Sequence, residues 1–304
     1  MSIPTVVPNP PRPRLPEWLR TKLPTTQSFF QTRQLLGDLK LHTVCESAKC
    51  PNHWECWSKG TATFMIAGEN CTRACGFCAV KTAKPLALED DEPNRVAEAT
   101  KRMKLKHVVI TAVARDDLAD GGAEHFRLTI EAVREANPGI VIEVLVPDFQ
   151  DKIDCIDVVL RANPEIYNHN LETVRRLTPS VRHRATYDRS LSVLKKVKDR
   201  RGNTIYTKSG IMLGLGETEP ELFEAMDDLR LSGCDILTLG QYLQPTPKHL
   251  PVIEFVKPER FAHYGSVAEK MGFTHVASGP MVRSSYHADE FNPDHFRLGN
   301  LKNV

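Results

Sequence analysis

"TATFMIAGENCTRACGFC" (residues 61–78) joins an apolar run to three cysteines within eight residues. The run has the length and bounds of a buried strand, and the cysteines fall in the loop directly after it. The same unit recurs along the chain. Apolar runs follow at "HVVITAV" (107–113), "IVIEVLV" (140–146), "EIYNHN" (165–170), "TIYTKSGIMLGL" (204–215) and "DILTLGQ" (235–241). Between them, apolar residues recur three or four apart, as in Phe126, Ile130 and Val133, in Leu191, Leu194 and Val197, and in Leu222, Met226 and Leu229. Strand and helix in alternation predict parallel strands with crossover helices. Strands apolar throughout predict a sheet covered on both faces. Six units without a dinucleotide glycine fingerprint point to an α/β partial barrel, with an open doubly wound sheet as the alternative. Either architecture puts ligands in the loops at the strands' C-terminal ends, where the cysteines lie.

The 304 residues suffice for one large domain with a buried core. Apolar residues are 41% and charged residues 26% of the chain, as in ordinary soluble proteins. A net charge of +2 is too mild to argue for nucleic acid. No apolar run approaches the ~20 residues of a membrane span. The first sixteen residues hold six prolines and read as an extended arm, without a signal or transit pattern. A reducing cytoplasm is the compartment expected, and there clustered cysteines are metal ligands more often than disulfides.

Six of the eight cysteines form two triplets. Cys71, Cys75 and Cys78 follow a C-x3-C-x2-C spacing, and Cys45, Cys50 and Cys56 in "CESAKCPNHWEC" follow C-x4-C-x5-C. Cys155 and Cys234 stand apart and read as small buried hydrophobes. Zinc, with His42 or His53 as a fourth ligand, and a redox disulfide are alternatives for the triplets. Neither offers the paired C-x2-C units usual for zinc, and iron–sulfur clusters fit better. Three thiolates on a four-iron cubane leave one iron open to bind a substrate or cofactor.

The C-x3-C-x2-C loop with Phe77 before its last cysteine resembles the signature of the radical S-adenosylmethionine superfamily. "GIMLGLGE" (210–217) is similar to that superfamily's G-x-I-x-G-x-x-E stretch, with Met212 where isoleucine is usual. Within the superfamily, both cysteine triplets, "TAVARDDLADGGA" (111–123), "YNHNLETV" (167–174), "QYLQPTPKHLPV" (241–252) and "SGPMVRSSY" (278–286) resemble the lipoyl synthase family.

That resemblance implies a fold, an activity and a set of sites. The fold would be a partial (β/α)6 barrel over residues 61–257. An N-terminal extension (1–60) and a C-terminal extension (258–304) would carry an auxiliary cluster. The activity would be insertion of two sulfurs, at carbons 6 and 8, into an octanoyl chain on a lysine of a lipoyl carrier domain. Each hydrogen would be removed by a 5′-deoxyadenosyl radical. Cys71, Cys75 and Cys78 would hold the cluster that binds S-adenosylmethionine. Cys45, Cys50 and Cys56 would hold a second 4Fe–4S cluster, spent as sulfur donor, with Ser285 as its oxygen ligand and Ser284 as the other choice. Phe77, Asn168, Glu172, Lys208, Gly210 and Gly214 would contact S-adenosylmethionine, with the "ADGGA" turn (119–123) as a further contact. The carrier would be a glycine cleavage H protein or a 2-oxoacid dehydrogenase acyltransferase subunit, and the electron donor a flavodoxin or ferredoxin. The basic runs at 101–106, 175–184 and 195–201 read as solvated helix faces, or as steering for an acidic carrier. Another sulfur-inserting radical enzyme, or a zinc-stabilised binding module, is the competing function.

Overall fold

A computed structural model of the chain describes residues 14–20, 26–286 and 288. Residues 1–13, most of the proline-rich arm, lie outside the described residues. Three helices open the fold: α1 (Gln27–Asp38), α2 (Val44–Ser47) and α3 (His53–Ser58). Alternation then begins with β1 (Thr63–Ile66), α4 (Glu92–Arg102), β2 (His107–Ala112), α5 (Ala123–Ala136) and β3 (Val141–Leu145). It continues through α6 (Ile153–Arg161), β4 (Ile166–Asn168), α7 (Thr178–Val181), α8 (Tyr187–Arg201) and β5 (Tyr206–Leu213). The last elements are α9 (Glu219–Leu231), β6 (Ile236–Gln241), α10 (Pro258–Lys270) and β7 (His275–Gly279).

Among the described residues, all seven strands are parallel and lie in chain order, β1 to β7. A doubly wound sheet reverses its strand order at a switch point. This sheet never does, so every crossover packs on one side and the sheet curls into a partial barrel. Outside the curve, Ile110, Ile142 and Val144 belong to one buried core with Phe126, Ile130, Val133 and Val159 of the helices. Leu237 and Leu239 form another with Leu222, Met226, Leu229 and Phe261. Cys155 and Cys234 are buried, as small apolar residues would be. Helix α9 begins with a capping box, in which Glu221 accepts from the Thr218 amide at 2.8 Å. Among the described residues, no helix is long and apolar enough to cross a membrane.

The seventh strand was not anticipated, because "THVASGP" (274–280) is short, half-polar and interrupted by glycine. It pairs with β6 in register, Gly240 opposite Gly279. This pairing brings the segment after β7 back against β6. A Cβ on Gly240 would lie 2.1 Å from the Val282 carbonyl oxygen, so only glycine lets the two backbones approach this closely. At the other end, Phe29, His53, Trp54 and Trp57 pack ring on ring between α1 and α3. The two ends meet where Asn52 Nδ2 donates to the Met281 carbonyl at 2.6 Å.

The barrel interior also holds charge. Glu143 of β3 is fully buried, and its two oxygens accept from Lys208 Nζ of β5 at 2.9 and 3.0 Å. Asn168 Nδ2 of β4 donates to Glu143 at 2.9 Å, and His107 Nε2 lies 3.4 Å away. Burial alone would push this carboxyl up, but Lys208 and His107 outweigh it and hold it down to about 2.

Candidate active site

The cysteine loop after β1 is tied down on several sides. The Cys71 amide donates to the Lys81 carbonyl at 2.8 Å, and the Gly76 amide to the Val181 carbonyl at 3.0 Å. The loop before α10 covers it. Leu250 N donates to the Gly76 carbonyl at 2.9 Å, and His249 Nε2 donates to the Cys78 carbonyl at 2.9 Å. Arg73, between the first two cysteines, is buried and pairs through both nitrogens with Asp116, at 2.8 and 2.7 Å. It also reaches the buried Asp148, at 2.7 Å. Arg73 thus binds the cysteine loop to the loops after β2 and β3. Its guanidinium holds Asp116 down to about 2.

A cavity of about 360 Å³ opens beside this loop. Cys71, Cys75 and Cys78 line it, and so do Cys50, Ser284 and Ser285. Sequence positions more than 200 apart therefore share one chamber. Its walls are largely apolar, with Met65, Val113, Leu145 and Val146 among them.

Within each donor set, burial favours the neutral thiol over the thiolate. Burial, then the charge of Cys50, pushes Cys45 up to about 11, and burial with both partner cysteines pushes Cys56 up to about 12. Burial also raises Cys75 to about 11 and Cys78 to about 12; the charge of Cys71 adds to Cys75, and those of Cys75 and Cys71 add to Cys78. A bound metal would reverse that preference, because it takes the thiolate. Among the described residues, no group of three His, Cys, Asp or Glu side chains is gathered to hold a metal ion as it stands. His53, weighed as a zinc ligand, sits in the aromatic stack with Trp54 and Trp57.

Thr63 connects Ser285 to the second set. Its hydroxyl meets Ser285 Oγ at 2.7 Å, and its backbone amide faces the Cys45 sulfur. Ser284 turns the other way and accepts from Asn170 Nδ2 at 2.8 Å. The two serines therefore face different sides of the chamber.

Of the residues expected to contact S-adenosylmethionine, Phe77, Glu172 and Gly210 line the cavity. Phe77 also packs against the cluster of Val181, Leu215 and Tyr242. Glu172 has a left-handed backbone, φ 69°, and burial raises its carboxyl despite the opposing charge of Arg182. A Cβ on Gly210 would strike Thr238 Oγ1 at 2.7 Å and Asn170 Oδ1 at 2.9 Å. Asn168, Lys208 and Gly214 are not brought to the cavity. Asn168 Nδ2 and Lys208 Nζ are spent on Glu143. Gly214 has φ 96° and serves a turn closed by Glu217, which accepts from the Gly214 and Leu215 amides at 2.6 and 2.9 Å. The "ADGGA" turn likewise caps α5, with Asp120 accepting from the Gly122 and Glu124 amides at 3.0 and 2.9 Å. Sequence reasoning missed Asn170, Arg73, Arg182, Thr63 and Arg283 as wall residues. The one available signal was two asparagines in "YNHN", of which the second faces the chamber.

Comparison with known proteins agrees with this geometry. Residues 65–229 match the model of the radical SAM superfamily, and residues 5–50 match the N-terminal domain of lipoyl synthase of that family. The lipoyl synthase of Symbiobacterium thermophilum is 55% identical over 91% of this chain and 86% of its own. That of Chlorobaculum tepidum is 54% identical over 91% and 96%. Among solved structures, methylornithine synthase superposes with a TM-score of 0.52 at 12% identity, covering 90% of this chain and 93% of that one. The FeFe-hydrogenase maturase HydG from Carboxydothermus hydrogenoformans gives 0.54 at 10%, covering 90% and 78%. At such identities the structures speak for the fold alone, whereas the sequence relatives speak for more: with one cysteine triplet, Cys50 of the other and the serine pair around its chamber, the chain belongs to the lipoyl synthase family of the radical SAM superfamily.

Proposed function

We propose that this chain is a sulfurtransferase that inserts two sulfur atoms, at carbons 6 and 8, into an octanoyl group held on a lysine of a carrier domain. The observation that carries the reading is the single chamber onto which Cys71, Cys75, Cys78, Cys50 and Ser285 all open. Family membership brings a four-iron cluster and S-adenosylmethionine. When bound, these supply a radical that takes hydrogen from an unactivated carbon.

The chain's own residues do the rest. Cys71, Cys75 and Cys78 hold the first cluster, and Arg73 and His249 fix their loop. Phe77 and Gly210 line the side taken by the adenosine, while Glu172 and Asn170 Oδ1 present acceptors to the ammonium of S-adenosylmethionine. Cys45, Cys50, Cys56 and Ser285 hold a second 4Fe–4S cluster as the sulfur source. With that cluster bound, the serine oxygen would be the weakest of its four ligands, since a thiophilic iron prefers thiolate. Thr63 Oγ1, at 2.7 Å, is placed to hydrogen-bond the Ser285 oxygen. The apolar walls receive the eight-carbon chain. The barrel (61–257) thus supplies one ligand set, and the flanking segments (1–60 and 258–304) the other. A glycine cleavage H protein or an acyltransferase subunit is the carrier, and a flavodoxin or ferredoxin in a reducing cytoplasm is the electron source.

The test uses anaerobic protein with restored iron and sulfide, an octanoylated carrier domain, S-adenosylmethionine and a reductant. The carrier's mass should rise by two sulfur atoms. Octanoyl consumed without sulfur gain, or colourless zinc-loaded protein, would end this reading.

A further inference from the structure

Arg283 lies two residues before Ser285, on the wall of the same chamber as Cys50. One of its terminal nitrogens, Nη1, donates to the Pro280 carbonyl at 3.4 Å and the Val282 carbonyl at 2.5 Å. Those two bonds fold the guanidinium over the turn that presents the serines. Among the described residues, no carboxylate forms an ion pair with it. An arginine carries five N–H donors. The hydrogen bonds it makes to described residues all come from Nη1, and Nε and Nη2 make none with them. Of the two other arginines that line the chamber, Arg73 has Asp116 and Asp148. Arg182 also lacks a carboxylate partner among the described residues, but spends its Nη1 on the carbonyls of Asn170 and Leu171 and on Ser190. Arg283 is half-buried, and drawing a cation partly out of water without a counter-charge is costly. Cys50 and Ser285 line the same cavity as Arg283.

We infer that Arg283 is a positioning residue for the second cluster: its guanidinium is the resident counter-cation of the cluster held by Cys45, Cys50, Cys56 and Ser285, aimed at the Cys50 side while it clamps the turn that carries Ser285. The inference rests on the proposed second cluster. The chemistry is that of a charge-assisted donor beside an anion. A cation there favours the thiolate ligands, slows loss of iron, and raises the reduction potential, because an added electron then meets less negative charge. The first cluster, held by the other triplet, should not feel the change.

The experiment isolates the second cluster in full-length protein with Cys71, Cys75 and Cys78 changed to alanine. Arg283→Gln and Arg283→Lys are then compared for iron and sulfide content, for the rate of iron loss to a chelator, and for midpoint potential. Gln should lose iron roughly tenfold faster, as expected for one lost charge-assisted contact, with a midpoint moved to more negative potential. Lys should restore the potential to near that of the arginine protein. If Gln changes neither rate nor potential, or if Lys fails as Gln does, the counter-cation role is wrong and the side chain is only a clamp. If the triple-alanine protein with Arg283 intact binds no four-iron cluster, the proposed second cluster fails as well.

Discussion

Replacing Lys208 with methionine separates two roles for a residue that the family resemblance places at the cofactor. Its ammonium sits 2.9 and 3.0 Å from the two oxygens of Glu143, a carboxylate with no exposed surface. Methionine fills a similar volume but leaves Glu143 with only the Asn168 amide at 2.9 Å and His107 at 3.4 Å. Breaking a buried pair from one side costs about 3–5 kcal/mol. For a chain of this size that lowers the apparent unfolding midpoint by on the order of 10 °C. The pH dependence fixes the sign. With Lys208 present, Glu143 is held down to about 2, so its contribution is present above the unfolded carboxyl value and is lost only as pH falls toward 2. Without Lys208, burial dominates and raises the folded pKa above the unfolded one. The penalty is then fully developed at high pH and fades as pH falls and the acid is protonated. The gap between the two proteins should therefore narrow from pH 8 to pH 5. Thermal unfolding at several pH values, at equal cluster loading, measures this. The double variant Lys208→Met with Glu143→Gln should recover most of the loss, and folded single variant should bind S-adenosylmethionine normally. An unchanged midpoint, a gap that widens as pH falls, or a specific loss of S-adenosylmethionine affinity would refute the argument.

Three further outcomes follow from the site. Gly240→Ala places a methyl 2.1 Å from the Val282 carbonyl, so the serine segment must retreat by about 1 Å. The variant should keep the first cluster by iron counting while the second becomes labile to chelator. Arg73→Ala removes the ion-pair partner of Asp116 and leaves Asp148, with no exposed surface, to Arg189 and the Gln150 amide; loss of the first cluster in a protein that retains the second, read by iron content in each alanine-triplet background, is expected. Thr63→Val removes the 2.7 Å contact to Ser285 but keeps the strand. It should slow the second sulfur insertion by roughly tenfold, with S-adenosylmethionine cleavage unchanged.

Much of this protein is legible in its amino-acid order. The six apolar runs mark β1 to β6 because a strand buried on both faces needs no alternation, and the helices between them repeat at 3.6 residues. The cysteine spacings fix the kind of chemistry, since thiolates a few residues apart in a loop can reach one inorganic core without help from distant chain. Strand β7 was hidden because its residues are small and polar, and its pairing with β6 depends on Gly240, a partner far away in sequence. The same limit explains why Asn168 and Lys208 were assigned to the cofactor. Their residue types are right for it, but which way each side chain points depends on strand register and on Glu143, a charge set among apolar neighbours. Most of all, the sequence cannot bring Cys50, Cys71 and Ser285 to one chamber. Local pattern determines elements and ligand chemistry, because both are set by near neighbours. Which distant ligands share a cavity depends on how the sheet curls and how tightly two backbones meet at a single glycine, and only the folded chain decides that.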